Sequence, residues 1–176
     1  MPGKRADPHP IYDKPGHLIR RLQQIAVALF AAETRAFDLT SVQYAALATI
    51  RLNPGIDQTA LANAIALDRS TIAEVVSRLQ AKGLIQRGPG KADRRTKVLF
   101  ATEKGEALIA RIEPAARSAQ SLILAPLRPA QRLAFMKMLG TLVAINNEHS
   151  RAPLREPRKR QPARTPRAPH TRPRKR

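Results

Sequence analysis

The stretch from Asp57 to Ala101 constrains the fold most, because its hydrophobic period changes partway along it. Asp57 can cap a short helix over Gln58–Ile65, with apolar positions Ala60, Leu61, Ala64 and Ile65. After a break at Ala66-Leu67, Asp68 can cap a longer helix that carries Ile72, Val75, Val76 and Leu79 and ends at Lys82-Gly83. Two helices joined this closely make a helix-turn-helix. The pattern then becomes strand-like at Leu84–Arg87 and Lys97–Ala101, with Gly88-Pro89-Gly90-Lys91-Ala92-Asp93-Arg94-Arg95 between them. A basic Gly/Pro-rich loop between two strands, directly after a helix-turn-helix, reads as a wing.

Helical patterns flank this unit on both sides. From Pro15, Leu18, Ile19, Leu22, Ile25, Ala26, Leu29 and Phe30 form one broad apolar stripe, with the proline suited to a first turn. Thr40 and Gln43 have the spacing of a capping box for a helix bearing Val42, Ala46, Leu47 and Ile50, which stops at Asn53-Pro54-Gly55. Thr102 opens a helix through Leu108, Ile112, Ala116, Ala119 and Ile123, and Pro114 is expected to kink or split it. Pro126 and Pro129 precede a last helix with Leu133, Met136, Leu139, Leu142 and Val143. The predicted class is mainly α with a small β-wing: a winged helix-turn-helix over residues 15–147, with N- and C-terminal dimerisation helices. Residues 1–14 are expected to be a flexible N-terminus, and 148–176 a disordered Arg/Pro-rich tail.

Charge narrows the partner. Lys and Arg number 32 against 13 acids, a net charge of +19. Residues 151–176 hold eleven basic side chains and one acid, so +10 lies in the tail and +9 in the rest. The body is basic in its own right, as a partner for a polyanion should be. The tail fits weak, sequence-independent contact with phosphates, or serves as a solubilising appendage.

The absence of cysteine rules out disulfides and thiolate metal sites, and the four histidines lack metal-ligand spacing. Neither a nucleophile–base arrangement nor a Gly-rich phosphate loop is present. No enzyme activity, cofactor or metal is therefore expected. No apolar run is long enough to span a membrane, and a cytoplasmic protein is expected.

In a helix-turn-helix the first residues of the second helix meet base edges. Here these are Arg69, Ser70 and Thr71, with Arg78 further along. Arginine reads guanine with two hydrogen bonds, and short hydroxyls reach phosphates or bases. The same Asp68, Ser70 and Thr71 would also serve simply as a cap. Lys91, Asp93, Arg94 and Arg95 form the wing tip, where guanidinium groups can enter a narrow minor groove and Asp93 can hold the loop. Double-stranded DNA is the expected partner.

The order of elements, the Asp93-x-Arg95 wing followed by Thr102, and the runs Leu67–Thr71 and Leu79–Ile85 resemble the MarR family over about residues 15–147. The resemblance implies a ligand-responsive regulator, a repressor by expectation. It would bind a pseudo-palindromic operator as a homodimer made by helices around 15–36, 105–125 and 129–147. Pro15–Phe30 is similar to the opening helix of members controlling aromatic-acid catabolism, including those that answer to hydroxycinnamoyl-CoA thioesters. An aromatic effector, with an aryl-CoA thioester as one form, is therefore expected in a pocket lined by residues such as Ile25, Phe30 and Leu47. His17, Arg20, Arg21 and Tyr44 would supply the polar contacts. A constitutive nucleoid-associated, architectural DNA-binding protein is the alternative.

Overall fold

The computed structural model describes residues 11–90 and 97–155. Helix α1 (Pro15–Glu33) leads through a short 3-10 turn at Arg35–Phe37 into α2 (Ser41–Leu52). A two-residue strand β1 (Ile56–Asp57), α3 (Gln58–Ala64), α4 (Arg69–Ala81), β2 (Ile85–Pro89) and β3 (Lys97–Ala101) complete the winged unit. Two helices follow, α5 (Glu103–Leu124) and α6 (Pro129–Ile145).

Side chains fix the helix starts where the sequence places them. Thr40 Oγ1 accepts from the Gln43 amide at 3.2 Å while Gln43 Oε1 accepts from the Thr40 amide at 3.3 Å, a complete capping box. Asp57 accepts from the Ala60 amide at 2.8 Å to start α3. Thr102 Oγ1 accepts from the Gly105 amide at 3.1 Å and donates to the Gly83 carbonyl at 2.7 Å, so one hydroxyl caps α5 and closes the end of α4.

The sheet has the order β1-β3-β2 and is antiparallel throughout. Ile85 pairs with Ala101 and Pro89 with Lys97 in the hairpin, while Ile56 pairs with Leu99 on the other edge of β3. The second contact was not expected from sequence. It is made possible by Gly55, whose φ of +82° turns its amide onto the Leu99 carbonyl at 2.9 Å. β2 begins one residue later than expected and runs through Gly88 to Pro89.

One core joins these elements. Leu47, Ile50, Leu61, Ile72, Val76, Leu79, Leu84, Leu99, Ile109 and Ile112 are essentially inaccessible, and Phe30 and Leu39 close the side toward α1. α5 links the halves of the molecule, because it packs on α1 and α2 and also abuts β3.

Of the two outcomes expected at Pro114, a kink or a split, the split does not occur: α5 runs unbroken from Glu103 to Leu124. An internal proline removes one hydrogen bond, here to Ala110, and crowds that carbonyl at a cost of about 3 kcal/mol. Burial of Ile109 and Ile112 before it, and of Ala116 and Ala119 after it, holds both segments on the core and offsets that loss.

Ordered contacts also continue past Asn147. Asn147–His149 form a 3-10 turn, Asn147 Oδ1 accepts from the Leu154 amide at 2.8 Å, and the Arg155 amide donates to the Asn63 carbonyl at 3.0 Å. The segment is held by bonds from the Asn147 side chain and from the Arg155 amide, which hydrophobic patterning does not register. At the other end, the ring of Tyr12, within the expected lead-in, meets His17 of α1 at a tilt, with centroids 5.4 Å apart.

Candidate nucleic-acid interface and effector clefts

α3 and α4 are separated by four residues, in which Ala66 takes a left-handed φ of 53° and Leu67 N–H donates to the Ala62 carbonyl at 3.0 Å. This turn presents the N-terminus of α4 outward. Asp68 holds that end: Oδ1 accepts from the Thr71 amide at 2.8 Å and the Ser70 hydroxyl at 2.6 Å, and Oδ2 accepts from the Thr71 hydroxyl at 2.8 Å. These hydrogen bonds, that of Ser70 foremost, hold the Asp68 carboxyl well below the usual carboxylate range. Ser70 and Thr71 therefore spend their protons on Asp68 and keep only lone pairs for an outside donor. Arg69 is exposed beside them.

Arg78 lies seven residues after Thr71, about two turns along the same face of α4, and nine residues after Arg69, on the opposite side from that residue. There it pairs with Glu74 and borders a cleft between α1, α2 and α4. Of the four helix residues expected to meet DNA, Arg69, Ser70 and Thr71 lie at the start of α4 and Arg78 lies two turns along, on the Thr71 face. Lys91, Asp93, Arg94 and Arg95 lie outside the described residues.

The base of the wing is tied to the helix-turn-helix by Arg87. Its Nε donates to Gln80 Oε1 at 2.9 Å and its Nη2 to Gln58 Oε1 at 3.5 Å. One guanidinium thus fixes β2 to both helices of the motif. Sequence reading passed over Arg87, although its place on the solvent face of a wing strand was a usable signal.

Among the described residues, clefts border α1 at both of its ends. One, of about 360 Å³, is lined by Val27, Phe30 and Leu39 on its apolar side and by Arg35, Arg78 and Lys82 on its basic side. Lys82 Nζ is bonded there to both the carboxylate and the carbonyl of Asp38, and so links α4 to the turn before α2. The other, about 650 Å³ and shallow, is lined by Tyr12, His17, Leu18, Arg21, Leu22 and Ile25 along α1. His17 Nδ1 and Arg20 Nη2 are 3.4 Å apart at its edge.

The expected effector residues therefore do not converge within one chain. His17, Arg20 and Arg21 cluster at the start of α1. Tyr44 lines neither cleft: its ring packs on Phe30 at 5.5 Å and its hydroxyl donates to Glu113 Oε2 at 2.7 Å. Partial burial, then the Glu113 bond, push the Tyr44 phenol up to about 12. The expected lining is corrected as well. Leu47 is fully enclosed in the core, while Phe30 and Ile25 border different clefts. A broad apolar stripe on α1 conceals that its two ends face different surroundings.

The profile of the MarR family matches residues 39–97, the winged unit itself. The chain is similar to the HTH-type transcriptional repressor NicR of Pseudomonas putida, 32% identical over 136 residues that cover 77% of this chain and 86% of NicR. Among solved structures it resembles Bordetella bronchiseptica BpsR, whose DNA binding is regulated by 6-hydroxynicotinic acid. The TM-score is 0.72 at 29% identity, covering 77% of this chain and 97% of that one. It also resembles PcaV of Streptomyces coelicolor in complex with its natural ligand, with a TM-score of 0.69 at 33% identity, covering 78% and 97%. With its winged helix-turn-helix, outward-facing recognition helix and relatives that are regulators rather than enzymes, the chain belongs to the MarR family of transcriptional regulators.

Proposed function

We propose that the protein is a homodimeric repressor that binds a pseudo-palindromic operator and is released by an aromatic acid or its CoA thioester. The observation that carries this reading is α6, which buries none of its residues against its own chain. Leu133, Met136, Met138, Leu142, Val143 and Ile145 are all at least half exposed. Leu18, Ile19, Ile25 and Val27 of α1 are exposed as well. Apolar surface on this scale belongs against a partner, and a second copy offers matching α1 and α6 faces. Two recognition helices related by a two-fold axis would then read two half-sites one helical turn apart.

The effector reading rests on chemistry and likeness together. BpsR responds to 6-hydroxynicotinic acid and NicR is a repressor, which favours an aromatic acid here. His17, Arg20 and Arg21 offer donors for a carboxylate or for CoA phosphates beside an apolar cleft that suits an aryl ring. In a dimer, α1 of one protomer can bring these groups toward the Phe30–Tyr44 region of its partner.

Release needs the ligand to favour a conformation that no longer fits DNA. A coupling of about 1–3 kcal/mol weakens DNA affinity roughly 5–150-fold. Lys82–Asp38 and Thr102–Gly83 attach α4 to the dimerisation helices, so movement of α1 or α5 alters the spacing of the recognition helices. Such a regulator acts in the cytoplasm, and among the described residues no helix is long and apolar enough to cross a membrane.

The test is titration of the operator complex with p-coumarate, benzoate, salicylate and their CoA thioesters. Release by a free acid or a thioester at micromolar levels supports the effector and decides its form. Release by none of them removes the effector proposal and leaves DNA binding standing.

A further inference from the structure

The cleft between α1, α2 and α4 holds more hydrogen-bonding capacity than its own chain uses. Phe30, Ala31 and Leu39 line it with apolar surface, and Arg35, Gln43 and Lys82 line it with donors. Gln43 is only 5% exposed. Its Oε1 is spent on the Thr40 amide at 3.3 Å, and its Nε2 donates to no atom among the described residues. A side-chain N–H this deep without a protein acceptor calls for one from whatever fills the cleft. Ser41 borders the same cleft, and its amide, in the first turn of the twelve-residue α2, is likewise unbonded. That end of α2 carries the positive pole of the helix dipole and has no acidic residue in its first turn to offset it.

Charge points the same way. The Arg35 side chain has no ion-pair or hydrogen-bond partner among the described residues. Lys82 Nζ reaches Asp38 Oδ2 at 2.9 Å and also the Asp38 carbonyl. The Asp38 side chain is 95% exposed, and an ion pair open to water is weak. A carboxylate inside the cleft can therefore take Lys82 from it. The volume of about 360 Å³ lies at the small end of ligand sites and suits a single ring or a short branched chain.

We propose that this cleft is a second small-molecule site, which takes a monocarboxylate with a compact apolar body. Arg35, Lys82, the Gln43 side-chain amide and the N-terminus of α2 hold the carboxylate, and the body lies against Phe30 and Leu39. The site is separate from the His17–Arg21 cleft along α1. Because its ligand competes with Asp38 for Lys82, it acts on α4 from the turn before α2.

The probe is para-fluorobenzoate, followed by fluorine NMR on the full chain without DNA. Every protein carries Arg20→Gln and Arg21→Gln, which strip the other cleft of its guanidinium groups. In that background the probe should still bind saturably. Arg35→Gln and Gln43→Glu should each weaken it about tenfold, the loss of one charge-assisted hydrogen bond. Glutamate at this position keeps the capping box and Arg35 is exposed, so both variants should melt close to the parent. Asp38→Asn should instead tighten binding severalfold. It removes the competitor for Lys82, and asparagine tolerates the left-handed φ of 50° at this position.

No binding in the Arg20→Gln, Arg21→Gln background, or binding that ignores Arg35→Gln, overturns the site. Equal binding of the neutral para-fluorobenzamide overturns the carboxylate assignment. Displacement by an equal concentration of inorganic phosphate overturns the apolar body. Unchanged or weaker binding in Asp38→Asn overturns the competition for Lys82. Should Gln43→Glu fail to fold, the Arg35 and Asp38 variants decide. The measurement contains no DNA, so failure of the operator reading is distinct and leaves its result in place.

Discussion

The Tyr44 hydroxyl donates to Glu113 Oε2 at 2.7 Å and so ties α2 of the winged unit to α5. The phenol is raised to about 12, by burial first and by the Glu113 bond second, so it stays neutral and keeps donating through the physiological range. Tyr44→Phe should cost about 1 kcal/mol in urea unfolding at pH 8. A raised folded pKa means the contribution is complete below the unfolded value of about 10 and is lost as pH climbs through the folded value. The gap between wild type and variant should close between pH 10 and 12. A gap that stayed constant across that range would show that the bond does not set it.

Gly105 is a packing requirement. A Cβ at this position would lie 2.1 Å from the Leu84 carbonyl oxygen and 3.4 Å from Leu47 Cδ1. Since the close atom is backbone, the start of α5 or the head of β2 must move. Gly105→Ala should destabilise the fold by about 1–3 kcal/mol despite alanine's better helix propensity. A variant as stable as wild type would mean that α5 sits less tightly on Leu84 than the structure has it.

The proposed dimer would rest on α6, where Leu142 is 55% exposed. Leu142→Asp should leave the winged unit folded, since the side chain is outside the core, yet shift sedimentation from dimer to monomer. A buried unpaired charge costs several kcal/mol, enough to dissociate a dimer at micromolar concentration. An unchanged dimer would move the interface elsewhere.

What the sequence made readable follows from where the stabilising interactions are local. Caps at Thr40, Asp57, Asp68 and Thr102 join residues three apart, so each helix start could be read from its own neighbourhood. β1 could not, because two residues become a strand only by pairing with Leu99 and Val98 far along the chain. Of the kink or split expected at Pro114, the split is absent because burial on both sides outweighs a local breaker. Arg69, Ser70 and Thr71 were found together because they are consecutive. Arg78 shares the Thr71 face two turns further on, where Glu74 pairs with it. His17 and Tyr44 were grouped by chemistry, and three-dimensional packing places them at different clefts or none.

For the wing, Arg95→Ala should weaken operator binding by about 1–3 kcal/mol if its guanidinium enters the minor groove desolvated. Affinity for random duplex should change much less. An equal loss on both DNAs, measured by fluorescence anisotropy, would reduce Arg95 to a phosphate contact.

Operator recognition is read out by a nuclease footprint of the purified protein on the DNA flanking its gene. The expected result is one bounded protected segment with two-fold symmetric half-sites about 34–36 Å, one helical turn, apart. Diffuse protection that spreads with concentration and shows no preferred segment would contradict it, and would mark the protein as an architectural DNA binder instead.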